Sequence, residues 1–114
     1  MSEDRPDEEL FALLNDEYAR AILTQTSTEP MSAKTLRDRC DASLPTIYRR
    51  AERLVDAGLL TERTEIGENG HHYSVFEARL DRLTVDLDDG ELTVAVETTA
   101  DDPADRFTDM WEGI

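Results

Sequence analysis

The chain is poor in cysteine, lysine, glycine and aromatic residues, and it lacks any long apolar run. Cys40 is the only cysteine, so no internal disulfide can form. A lone thiol also cannot build the usual structural zinc site by itself. The first thirty residues lack the basic start and apolar stretch of a signal peptide, and nowhere do about 18 apolar residues follow one another as a membrane span requires. These absences predict a soluble cytoplasmic protein with no membrane partner. There is no glycine-rich phosphate loop, no nucleophile elbow and no HExxH pair, and scattered carboxylates alone define no site. Neither an enzyme nor a bound cofactor is expected. At 114 residues the chain has the length of one domain with a modest core.

What is abundant is acid. The sequence holds 27 Asp and Glu against 12 Lys and Arg, a formal net charge of -15. Such a balance ordinarily argues against nucleic acid, because affinity for a polyanion comes largely from basic side chains replacing condensed counterions. The basic residues, however, are 11 arginines and the single Lys34, and the acids are spread along the whole chain. Dispersed acid with scarce lysine resembles the proteins of salt-loving archaea, in which surface charge keeps the protein hydrated and net sign says little about the partner. A disordered acidic chain is the competing reading, and the regular apolar periodicity opposes it.

After the polar start "MSEDRPDEE", Leu10, Leu13, Leu14, Ala21 and Ile22 recur at helical spacing. Asn15 and Asp16 offer a fresh cap, so the spacing predicts two helices, about 7–14 and 16–26. Pro30 breaks the pattern. Ser32 can cap a short helix through about Cys40, with Ala33, Leu36 and Cys40 inward; Ser43 can cap the next, where Pro45 falls in the tolerant first turn and Gly58 closes the end. Beyond Gly58 the period becomes two. "LLTERTEI" and "HHYSV" read as strands around the turn "GENG". A second hairpin turns at Asp89 and Gly90, pairing Leu87 with Leu92, Val85 with Val94 and Leu83 with Val96, so that all six apolar residues share one face. The tail can form a short helix from about Pro103 with Phe107, Met110 and Trp111 on one side.

Three short helices, a tight turn into a longer helix, and a hairpin make the layout of a winged helix-turn-helix: an α+β fold, here with a wing hairpin and a second C-terminal β-hairpin. The stretch "AKTLRDRCDASLPTIYRRAERLVDAGLL" resembles the core of the ArsR-like winged-helix transcription regulators, through Leu36, the turn at Asp41 and Ala42, Ser43, "TIYR" at 46–49, Leu54 and "AGLL" at 57–60. With the acidic composition, the resemblance is to haloarchaeal members of that family. It implies double-stranded DNA as partner and a homodimer as the active form. The boundaries expected are a flexible acidic start at 1–9, the winged unit at 10–77, and a C-terminal hairpin with short helix at 78–114 that packs on the domain or in a dimer interface.

On a helical wheel Ile47, Ala51 and Leu54 face the core, Arg49 and Arg53 lie opposite with Pro45 and Thr46, and Tyr48 and Arg50 flank the apolar stripe. In a helix-turn-helix the outer N-terminal part of this helix enters the major groove. Arg49 then suits guanine, Thr46 a base or thymine methyl, and Tyr48 and Arg50 phosphates, with Lys34 and the capping Ser43 beside them. The alternative is that the arginines only pair with Glu52 and Asp56 on a solvated face. Charge favours a binding role: residues 32–63 hold seven bases and five acids, and the remaining 82 residues hold five bases and 22 acids. At the wing, Arg63 or His71 can reach phosphates or the minor groove. Adjacent His71 and His72 on a strand point to opposite faces and share a metal poorly. Metalloid-sensing relatives carry Cys-x-Cys where this chain has Ser32, Ala33 and Lys34, so no metal is expected. Cys40 suits burial better than redox sensing. Leu10, Phe11 and Leu14, with Phe107, Met110 and Trp111, are left over as candidate dimer surface. The rival function is a winged-helix protein-interaction adaptor that does not bind DNA. Operator and effector are not written in the sequence.

Overall fold

The computed structural model describes residues 6–99. It divides into two compact units, one running through Ala78 and one beginning at Arg79. The first contains α1 (Pro6–Asn15), α2 (Glu17–Thr26), β1 (Met31–Ser32), α3 (Ala33–Cys40), α4 (Leu44–Asp56), β2 (Leu60–Ile66) and β3 (His72–Ala78). The second contains β4 (Leu80–Asp88) and β5 (Glu91–Thr98).

Helices α2, α3 and α4 begin where a short polar side chain can satisfy an orphan backbone N–H. Asp16 caps α2 through the Ala19 N–H, Ser32 caps α3 through Thr35, and Ser43 caps α4 through Thr46. Two helix ends use left-handed residues. Asp41 at φ 53 ends α3 and lets the Ala42 N–H reach the Arg37 carbonyl at 3.3 Å. Gly58 at φ 80 follows α4, and the Leu59 N–H closes back onto the Leu54 carbonyl at 2.9 Å. That closure turns the chain directly from α4 into strand, with Leu59 and Leu60 buried behind it.

The core of the first unit is aliphatic. Leu13, Ile22, Leu36, Ile47, Leu54, Leu59 and Leu60 are essentially inaccessible, with Met31, Val75 and Phe76 closing the sheet side. Burying each of the larger side chains contributes about 1.5–3 kcal/mol relative to exposure. Thr26 is the buried polar residue among the described ones, and its hydroxyl donates to the Ile22 carbonyl at 2.7 Å. The sheet is antiparallel in the order β1-β3-β2, with Met31 opposite Phe76 and Arg63 opposite Val75. This is a winged helix-turn-helix in which β2 and β3 form the wing.

Two expectations need adjustment. Residues 6–9, assigned by sequence to a flexible start, open α1, because the acidic first turn complements the helix N-terminus. Leu10, expected as leftover surface, is buried, while Phe11 is exposed and Leu14 half-buried. Phe107, Met110 and Trp111 lie outside the described residues. In the second unit the register is as the sequence predicts, with Leu87 opposite Leu92, Val85 opposite Val94 and Leu83 opposite Val96, and Asp89 and Gly90 at positive φ in the turn.

Candidate nucleic-acid interface

The candidate surface is built by the start of α3, the N-terminal half of α4 and the wing. Ser43 fixes the first turn of α4 twice: its Oγ accepts the Thr46 N–H at 3.3 Å and its hydroxyl donates to Thr46 Oγ1 at 3.0 Å. Pro45 sits in that turn and is exposed. Ile47, Ala51 and Leu54 point inward, which turns Tyr48 and Arg49 out to solvent. Lys34, in the first turn of α3, is also exposed.

Between these helices and the wing runs an open groove of about 730 Å³ lined by Lys34, Tyr48, Thr64, Asn69, His71 and Tyr73, among others. The wing tip is closed by the Gly67 N–H donating to the His71 carbonyl at 2.8 Å and by the Gly70 N–H donating to the Gly67 carbonyl. Gly70 adopts φ 81, a conformation that a side chain would strain. His71 and His72 are both exposed, and no cluster of three metal-ligating side chains occurs among the described residues.

The basic residues divide into two groups. Arg50 Nε donates to Asp16 Oδ2 at 2.8 Å, with its guanidinium carbon 6.0 Å from the centre of the Tyr18 ring. Arg53 makes a two-pronged contact with Glu9, at 3.0 and 3.2 Å. Arg63 is held by Glu65 at 3.1 Å and Glu77 at 2.9 Å. By contrast, the side chains of Lys34 and Arg49 make no hydrogen bond or ion pair among the described residues. Arg39 meets only the neutral side chain of Gln25, at 3.3 Å.

The sequence therefore leads to Arg49 and Lys34 as free cations but misplaces Arg53. The wheel puts Arg53 on the outward face, whereas Glu9 draws it against α1. The partners of the two engaged arginines of α4 are also not Glu52 and Asp56. They come from α1 and from the cap of α2, 44 and 34 residues away, where no helical spacing reaches. Glu77 was closer to legible, since Thr61 pairs with Glu77 and Arg63 follows two residues later along the same face. Thr64, Asn69, His72 and Tyr73 join the groove only through the hairpin register.

Electrostatics agree with this division. Hydrogen bonding to Glu9 raises the Arg53 guanidinium, and bonds to Glu77 and then Glu65 raise that of Arg63. Burial alone would raise the Asp16 carboxyl. The Ala19 N–H, the hydrogen bond and charge of Arg50 and the Tyr18 N–H together outweigh it and hold Asp16 below its ordinary value. Burial pushes the Cys40 thiol up, which disfavours the reactive thiolate. No described helix is long and apolar enough to cross a membrane.

A search of curated proteins finds no match. Residues 13–63 match the family model described as a helix-turn-helix domain, a span that runs from α1 through α4 into β2 and so carries the turn, the reading-type helix and the entry to the wing.

Proposed function

We propose that this protein is a sequence-specific DNA-binding transcriptional regulator of the haloarchaeal ArsR-like type, acting as a homodimer on double-stranded DNA. Helix α4 enters the major groove. Arg49 and Thr46 address base edges, while Lys34, Ser43, Pro45 and Tyr48 meet the adjoining backbone. The wing lies along the neighbouring phosphates through Asn69 and His71. A two-fold dimer presents two such helices to successive half-sites. Arg50 and Arg53 act indirectly, by fixing the roll of α4 against α2 and α1.

The observation that carries this reading is the free state of Arg49. In a chain with more than twice as many acids as bases, an exposed arginine on the outer face of α4 has no acidic partner, while four other arginines of the same unit do. Neutralisation of those four favours the second reading, a protein-interaction adaptor, for which a strong basic face is unnecessary. Selection of bound sequences from random duplex in molar potassium chloride separates the two. A DNA reader enriches a motif with two related half-sites, and an adaptor enriches none.

A further inference from the structure

The β4–β5 hairpin is a two-stranded sheet whose one face is made by Leu83, Val85, Leu87, Leu92, Val94 and Val96. Leu87 is 75% exposed, Leu92 52% and Val85 46%, with Val96 at 37%. No charge interrupts this face, because Arg82, Asp86, Asp88, Glu91 and Glu97 alternate onto the other. A lone two-stranded hairpin is marginal in water and gains stability from further strands or a helix.

We propose that this face stacks on the same face of a second copy, with the two hairpins running in opposite directions. The inference names the contact surface of the homodimer proposed above and rests on that reading for the dimer alone, not for DNA. Charge selects the occupant. Residues 79–99 hold six acids and two arginines, yet none of these charges stands on the apolar face. A charged partner finds no counter-charge there, whereas a second copy brings an equally neutral surface. Charge also selects the direction, because Asp88, Asp89 and Glu91 crowd the turn. Stacked sheets lie about 10 Å apart, so hairpins running the same way would set the two acidic turns about that close. Opposed hairpins separate the turns by more than about 14 Å, the strand length from Leu83 to Leu87. That arrangement lays Leu87 and Leu92 of one copy over Leu83 and Val96 of the other, with Val85 and Val94 around the two-fold axis. Pairing edge to edge instead would leave both apolar faces in water.

Area sets the strength. The exposed parts of the six apolar residues amount to roughly 400 Å² per copy, about half of what each partner contributes to a standard interface. Such a contact suits a reversible dimer with a micromolar dissociation constant, not a permanent one. Each copy carries a net charge of -15, so the two repel, and salt that screens the repulsion strengthens the contact.

Sedimentation equilibrium of the full chain, without DNA, tests this. The wild type should show a reversible monomer–dimer equilibrium whose dissociation constant falls about tenfold or more between about 0.1 and 2 M potassium chloride. Val85→Lys and Ala95→Lys make the same change of charge on opposite faces of the hairpin, both at exposed positions. If repulsion between copies alone mattered, both would strengthen the dimer. Stacking instead predicts that Val85→Lys, which buries two like charges at the axis, raises the dissociation constant at least about 100-fold, while Ala95→Lys leaves it unchanged or lower. In a mixture of labelled and unlabelled wild-type chains, nuclear Overhauser contacts should join Leu87 methyl groups of one copy to Leu83 or Val96 of the other, a readout independent of any variant's folding. A wild type that stays monomeric, a dimer that Val85→Lys leaves intact, or the absence of those contacts between copies overturns the proposal. Because no DNA enters the measurement, each of those results leaves the reading role of α4 standing.

Discussion

Asp16 uses both oxygens of one carboxylate. Its Oδ1 accepts the Ala19 N–H at 2.9 Å as a helix cap, and its Oδ2 accepts from Arg50 of α4 at 2.8 Å. Because its folded pKa is depressed, the pair contributes stability that is fully present above the ordinary value of 3.8 and lost as pH falls through the lower folded value. Asp16→Asn keeps an acceptable cap but removes the charge. It should cost about 1–2 kcal/mol at neutral pH and flatten the acid limb of the unfolding curve. Asp16→Ala loses the cap as well and should cost about 1 kcal/mol more. Chemical denaturation of both variants from pH 3 to 7 checks the order. Arg53→Ala, whose partner Glu9 is at the surface, should weaken stability slightly, with at most about 1 kcal/mol lost, and leave base preference unchanged. A change in the selected DNA motif would return Arg53 to the reading face.

Helix ends and strand registers were legible because local chemistry decides them. Ser32, Ser43 and Asp16 cap the helices that the sequence predicts, and the alternation around Asp89-Gly90 fixes a register in which a one-residue slip would send six apolar side chains to the wrong face. What escaped was pairing between distant elements. Glu9 lies in a segment too polar to signal packing, yet it determines where Arg53 points. The groove also needs the wing folded before Asn69 and Tyr73 can meet Tyr48. Backbone conformation supplies a test at this scale. Gly58→Ala places a side chain at φ 80, with open space but an unfavourable backbone, and should cost about 1–2 kcal/mol. Asp41→Gly at φ 53 should be neutral or stabilising, since glycine removes the same strain at the other helix end. Thermal melts of the two variants should move in opposite directions or differ clearly in size.

For the whole molecule, the proposed function requires a chain of net charge -15 to bind a polyanion. Four arginines of the winged unit are paired with acids of the same chain, leaving Lys34 and Arg49 as free candidate cations at the proposed interface. Affinity falls with salt by a slope of about 0.9 per phosphate neutralised, so a dimer with four such cations should show a slope of magnitude below about 4. On the proposed function, cation uptake between the acidic surface and the phosphates would offset release, and the slope should then be shallow or reversed between about 0.5 and 2 M salt. A steep monotonic loss across that titration would show that the acidic surface takes no part in binding. The reading role of α4 is tested most directly by measuring wild-type and Arg49→Ala affinities for the selected duplex and for duplexes altered at single base pairs. The account predicts that the variant keeps its melting temperature and loses about 1–3 kcal/mol of binding, with discrimination relaxed at one base pair per half-site. Equal binding by the two proteins, or equal affinity of the wild type for every duplex, would contradict it.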